Sequence, residues 1–206
     1  MKSQRNIKEL YGLVLAGGKS QRMGHDKGLI KWHGVEQRYF LADLLSKFCE
    51  EVLISIRSEQ KEEIKAGYET IEDFYQGLGQ YGAILSALEK YPEKAFIVIA
   101  CDLPLIDSKA IEELIKNRDL EKLATAYKSR IDGLPEPLVA IWEAKSKKRL
   151  LELLDEGITC PRKALIKSRE SVKLIEPSYP ELTMNVNTPD EIKRAQEIIK
   201  ERGIGA

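Results

Sequence analysis

Four short apolar runs alternate with amphipathic stretches through the first two thirds of the chain, the pattern of strand-helix units around a parallel sheet. Leu10–Ala16, Glu51–Arg57, Lys94–Cys101 and Leu123–Lys128 are rich in apolar or β-branched residues and bounded by charge, so they predict strands. Between them the apolar period changes. Leu41, Leu44, Leu45 and Phe48 recur at helical spacing, as do Ile84, Ala87, Leu88 and Tyr91, and Ile111, Leu114 and Ile115 begin the same stripe. Each stripe predicts a helix lying on a sheet face. Thr188-Pro189-Asp190-Glu191 supplies an N-cap, a proline at the first helical position and the glutamate of a capping box, so a final helix runs from there to about Gly203. From Ile131 to Pro180 the pattern loosens; Leu138–Trp142 reads as a strand and Leu150, Leu153 and Leu154 as a helical stripe.

Nothing resembles a linker or a repeat, so residues 1–206 form a single α/β domain with one sizeable core. Lys plus Arg equals Asp plus Glu, 33 against 33, which removes the electrostatic footprint of a protein that coats nucleic acid or an anionic membrane. Any anion must therefore be gripped locally. No apolar run approaches membrane-spanning length and the lysine-rich start lacks a signal-peptide core, which places the chain in the cytoplasm. Cys49, Cys101 and Cys160 are far apart and odd in number, so they predict reduced thiols rather than disulfides or a zinc site.

The first predicted strand runs into Leu15-Ala16-Gly17-Gly18-Lys19-Ser20-Gln21-Arg22-Met23-Gly24-His25-Asp26-Lys27. Glycines let backbone N–H groups approach phosphate oxygens without a Cβ clash, and Arg22 and Lys27 neutralise charge that amides alone do not. This composition suits a polyphosphate. It is not a Walker A loop, because the glycine required five positions before Gly18 is Leu13, and there is no G-x-G-x-x-G. At Cys101-Asp102-Leu103-Pro104 an acidic residue stands where an apolar run stops. Ligands of open α/β sheets gather at the carboxyl ends of strands, so Asp102 is placed to hold Mg²⁺ against a triphosphate, with Asp107 or Ser108 capping the next helix. A third motif, Asn185-Val186-Asn187-Thr188-Pro189, reads as a strand feeding the capped helix, its asparagines facing a metal or hydroxyl or serving as turn residues.

Taken together, LAGGKSQRMGHDKG, Ile71-Glu72-Asp73, Gly79-Gln80-Tyr81-Gly82, CDLP and NVNTP resemble, in order, the motifs of the molybdenum cofactor guanylyltransferases, the MobA-type nucleotidyltransferases. The resemblance covers nearly the whole chain. It implies a Rossmann-like, three-layer α/β/α fold with a mostly parallel sheet, similar to the nucleotide-diphospho-sugar transferases. It further implies transfer of GMP from MgGTP to molybdopterin, giving the guanine dinucleotide and pyrophosphate, with Mg²⁺ as cofactor. About residues 8–128 would bind the nucleotide and about 129–206 the acceptor. Position by position, the resemblance implies that Leu15, Ala16, Gly17 and Lys27 contact the nucleotide. Asp73 helps hold the nucleoside, Asp102 binds nucleotide and metal, and Gly18, Arg22 and Lys27 serve catalysis. Asn185 and Asn187 match the family's C-terminal site asparagines. Ser55 stands where the family often has an asparagine, and the resemblance implies that it too contacts the nucleotide. The segments Leu134–Leu138 and Cys160–Lys163 differ from the best-known members, and Arg162 or Lys163, in an irregular segment on the acceptor side, meets an acceptor phosphate. Expected partners are GTP, molybdopterin or molybdenum cofactor, other cofactor-biosynthesis proteins and apo-molybdoenzymes, and neither nucleic acid nor membrane.

Two alternatives keep other chemistry open. Cytidylyl transfer, or transfer to a sugar or other phosphate, would use the same fold, but cytidylyl relatives typically show Ala-Ala-Gly where this chain has Ala16-Gly17-Gly18. A regulatory nucleotide-binding module has less need of Arg22, Lys27 and Asp102 together. Lone residues are read conservatively: His25 and His33 as solvated loop histidines, Cys101 as core, and Lys145, Lys147, Lys148 and Arg149 as a solvated helix face.

Overall fold

A computed structural model describes residues 10–17 and 27–205, with Lys27 described at its backbone only. Gly18, Arg22 and His25 lie outside the described residues. The strands are β1 (Leu10–Leu15), β2 (Glu51–Ile56), β3 (Glu69–Glu72), β4 (Ala95–Ala100), β5 (Ala124–Lys128), β6 (Pro135–Trp142) and β7 (Val172–Ile175). They form one seven-stranded sheet in the order β3-β2-β1-β4-β6-β5-β7. The pairs β3–β2, β2–β1, β1–β4 and β5–β7 are parallel, while β6 runs antiparallel to both β4 and β5.

The helices are α1 (Gln37–Leu45), α2 (Gly79–Lys90), α3 (Ser108–Lys116), α4 (Ser146–Asp155), α5 (Pro161–Lys167) and α6 (Pro189–Arg202). Alternation along each strand sends its side chains to opposite faces of the sheet. Val14, Ile54, Ile97 and Ile141 join α1 and α3 on one face, and Leu13, Leu53, Val98 and Ala140 join α2, α4 and α5 on the other. This is a three-layer α/β/α architecture. Helix α6 seals a smaller cluster of Leu105, Val186, Ala195 and Ile204. Its capping box is formed by Thr188 and Glu191, and Gly203 closes it in the left-handed conformation.

Several expectations are revised. Strands β3 and β7 were not foreseen, because ETIE and VKLI are four residues long and carry charge. Residues 161–167 form a helix rather than an irregular segment, begun by Pro161 at its first position. Residues 185–187 are not a strand, since Val186 N–H finds the Asp102 carbonyl (2.9 Å) rather than a ladder. His33 is not solvated: its ring nitrogens lie 3.1 and 3.0 Å from the carbonyls of Ile204 and Pro104, and the ring stacks on Phe40. Burial lowers the His33 pKa, with the two carbonyls pulling the other way. The three cysteines are unbridged and Cys101 is buried, as expected.

Candidate active site

The sheet's switch point positions the site. The chain leaves β1 to build β2 and β3 on one side and then crosses to β4 on the other, opening a crevice at the carboxyl ends of β1 and β4. Leu15 sits directly beside Ala100, and Cys101 N–H donates to the Leu15 carbonyl at 3.3 Å. Asp102 therefore begins its turn alongside Ala16 and Gly17, the start of the glycine-rich segment. On the other flank, Ala16 N–H donates to the Ser55 carbonyl at 3.1 Å. Neighbouring strands thus tie down both sides of the entry to the loop.

Beyond β2, a cavity of about 510 Å³ opens between Gly17, Arg57, Glu59, Asp73, Gln76 and Gly77, a volume suited to a small ligand. Ser55 is buried behind Asp73, and its hydroxyl donates to Asp73 Oδ1 at 3.1 Å. Burial raises the Asp73 pKa, and the Ser55 hydrogen bond partly opposes that shift. Gly77 and Gly79 adopt positive φ (82° and 54°), which lets the chain turn sharply from Asp73 into α2. Gly82, within the first turn of α2, is pressed against the Tyr75 carbonyl, where a Cβ would come within 2.4 Å.

The distal half of the chain meets Asp102 at two places. Val186 N–H on the Asp102 carbonyl brings the exposed Asn185 and Asn187 alongside the Asp102 turn. The second meeting is electrostatic: Glu136 lies on β6, the strand beside β4, near enough for the Asp102 charge to act on its carboxyl. The Glu136 carboxyl is held above its usual range, chiefly by burial, with the negative charges of Asp132 and Asp102 adding to it. Arg162 stands behind that carboxylate: Nη2 reaches Asp132 at 2.7 Å and Glu136 at 3.7 Å, and Nε donates to the Pro135 carbonyl at 3.2 Å.

The structure thus places Leu15, Ala16, Gly17, Ser55, Asp73 and Asp102 at or just past the carboxyl ends of the neighbouring strands β1, β2, β3 and β4, with Asn185 and Asn187 beside the Asp102 turn and Arg162 beside Glu136. Lys27 opens a short 3₁₀ turn (Lys27–Leu29). The sequence pattern did not single out Arg57, Glu59, Gln76 or Glu136. The available signal was a charged residue at the mouth of an apolar strand, as at Arg57 after β2 and Glu136 within β6. Among the described residues no cluster of three or more His, Cys, Asp or Glu side chains is arranged for a metal. Oxygen donors few in number suit a hard cation that takes one or two carboxylates and completes its shell with phosphates and water.

Comparison with known proteins agrees with this geometry. The MobA-like NTP transferase domain matches residues 12–172. A molybdenum cofactor biosynthesis bifunctional protein from Synechocystis is 36% identical over 183 residues, 88% of this chain and 52% of the relative, so the chain spans about half that protein's length. A molybdenum cofactor guanylyltransferase from Shewanella sediminis is 27% identical over 196 residues, covering 93% of this chain and 97% of that protein. Among solved structures, molybdopterin-guanine dinucleotide biosynthesis protein A from Archaeoglobus fulgidus superposes with a TM-score of 0.76 at 25% identity, covering 93% and 99% of the two chains. A CMP:2-keto-3-deoxy-manno-octonic acid synthetase shares the fold at a TM-score of 0.72 and 11% identity, covering 95% and 100%. The fold, the crevice at its switch point and the match over most of the sequence lead to one assignment: the chain belongs to the MobA-like NTP transferase family, the nucleotidyltransferases.

Proposed function

We propose that the chain transfers GMP from MgGTP to molybdopterin, forming molybdopterin guanine dinucleotide and releasing pyrophosphate. One observation carries the reading: the bond from Cys101 N–H to the Leu15 carbonyl puts Asp102 against the start of the glycine-rich segment. The names of the Shewanella and Archaeoglobus relatives supply the substrates.

In this reading the terminal phosphate of the acceptor attacks the α-phosphorus in line. A new P–O bond forms, the bond to the β-phosphate oxygen breaks, and pyrophosphate carries away the electron pair. No protein nucleophile is required, so positioning and charge stabilisation provide the catalysis. The backbone at Leu15, Ala16, Gly17 and Gly18 cradles the phosphates, and Arg22 and Lys27 neutralise charge building on the leaving group. Asp73 holds the nucleoside. Asp102 holds the metal, which when bound supplies Lewis-acid stabilisation of the phosphate oxygens. Residues 8–128 take the nucleotide and 129–206 the acceptor, with Asn185, Asn187 and Arg162 on the acceptor side. Among the described residues no helix is long and apolar enough to cross a membrane.

The test supplies molybdopterin, Mg²⁺ and each NTP in turn and measures pyrophosphate. Release with GTP supports the reading; release only with CTP, or only with a sugar phosphate as acceptor, refutes it. Asp102→Asn should cut turnover by roughly a hundredfold to a thousandfold while leaving the thermal midpoint nearly unchanged. Mn²⁺ binding, followed by paramagnetic resonance, should weaken in the same variant. Unchanged turnover would remove Asp102 from the mechanism.

A further inference from the structure

We propose that Arg57 reads the base, donating its guanidinium to the adjacent O6 and N7 acceptors of guanine; this inference rests on the GTP reading above. Ser55 near the end of β2 and Arg57, which follows the strand in extended backbone, lie on the same side, because alternate residues of an extended chain share a face. The Ser55 hydroxyl is committed to Asp73 at 3.1 Å. Arg57, the next residue outward on that side, lines the cavity itself and carries five N–H donors, enough to face a base while holding its protein partners.

The geometry holds Arg57 as a recognition group must be held. Its backbone N–H donates to Gln60 Oε1 at 3.0 Å, and Gln60 N–H returns a bond to the Arg57 carbonyl at 2.9 Å. Gln60 is 2% exposed, so this anchor is fixed in the protein interior. The guanidinium then spans the cavity wall, with Nη1 donating to the Gly17 carbonyl and Nε donating to Glu59 Oε1 at 2.9 Å. Glu59 is mostly exposed and its ion pair adds little to stability, so the pair is better explained by what it orients. The contact with Gly17 ties the same guanidinium to the segment that begins the phosphate loop.

Arg57 is also the one cation among the described residues lining this cavity, where Glu59 and Asp73 supply negative charge. Guanine presents O6 and N7 side by side as acceptors, and the planar guanidinium fork matches them with paired N–H donors. Adenine replaces the O6 acceptor with an amino donor, and cytosine offers an amino donor at the equivalent edge. Each therefore sets a donor against a donor at Arg57. A lysine would bring charge without the fork.

The experiment is equilibrium binding of GTP, 7-deaza-GTP, ATP and CTP to the full chain in Mg²⁺, without acceptor, by calorimetry. Removing N7 takes away one of the two acceptors, so the unaltered protein should prefer GTP to 7-deaza-GTP by about tenfold. Arg57→Gln should weaken GTP by more than tenfold and 7-deaza-GTP, which keeps O6, by a factor about tenfold smaller, collapsing the ratio to about one. If Arg57 only props up Gly17, the variant weakens every nucleotide equally and the ratio survives, which overturns the proposal. Equal binding of GTP and 7-deaza-GTP by the unaltered protein overturns it without any variant, and leaves GMP transfer standing. Failure of GTP to bind at all removes both readings together.

Discussion

Gly82→Ala sets two effects against each other within one turn of α2. Replacing a helical glycine by alanine normally stabilises by about 1 kcal/mol, because the unfolded chain loses freedom and the helix gains propensity. Gly82 has no positive φ to forbid it. Yet the added methyl would lie 2.4 Å from the Tyr75 carbonyl oxygen, 3.2 Å from Leu78 Cβ and 3.3 Å from Tyr75 Cβ. The first of these is an overlap with backbone, not with the far end of a flexible side chain. Overpacking of this kind costs about 1–3 kcal/mol, so the net expectation is a loss of about 1 kcal/mol, or about 2–4 °C in the thermal midpoint for a chain of this size. The functional loss should be larger. Relief requires the Tyr75–Leu78 segment to move outward, and that segment carries Gln76 and Gly77, one wall of the cavity. Calorimetric titration with GTP should then show affinity reduced by about tenfold or more, since one displaced contact is worth about 1.4 kcal/mol. A variant at least as stable as the parent, with unchanged GTP affinity, would refute the claim that this contact shapes the site.

Two further expectations concern charge. Arg118 and Glu143 form a doubly hydrogen-bonded pair, 2.7 Å in both contacts, with side chains only 2% and 8% exposed; Arg118→Ala strands a buried carboxylate and should cost about 3–5 kcal/mol in denaturant unfolding, whereas a loss below about 1 kcal/mol would show that water reaches the site. Asp73 is an acid whose folded-state pKa is raised, chiefly by burial, so the folded form favours the proton and Asp73 costs stability as pH climbs from the ordinary carboxylate range through the raised value and beyond. Asp73→Asn should therefore raise the thermal midpoint at neutral pH and flatten its slope over that window while weakening nucleotide binding. A lower midpoint at neutral pH would reverse the argument.

The sequence was most readable where one local cause dominated. Strands β1, β2 and β4 are buried on both faces, so their apolar runs stand out, and α6 announces itself through Thr188, Pro189 and Glu191. Strands β3 and β7 lie at the two edges of the sheet, where charged residues are tolerated and the pattern dissolves. The reversed direction of β6 leaves no trace in its composition. Pro161 did mark the start of α5, but seven residues are too few for a helical stripe to emerge around it. At the site, Leu15, Ala16 and Gly17 follow directly from an apolar strand, so their position at its carboxyl end needs no long-range contact to be read. Arg57, Glu59 and Gln76 converge only once β2 and α2 have taken their places, and Glu136 nears Asp102 only once β6 lies beside β4, so no spacing along the chain reveals them.

The turn at Asp102 is fastened from behind by residues distant in the chain: Val186 bonds its carbonyl, and His33 bridges Pro104 to Ile204. Gly205 lies so close to the His33 ring that a Cβ there would approach Nδ1 to 2.8 Å. The tail thus works as a buckle across the back of the crevice. The backbone around Asp102 therefore takes its final shape only when α6 and the residues that flank it have packed behind it, so loosening that helix should be felt at the Asp102 turn before it is felt in the sheet.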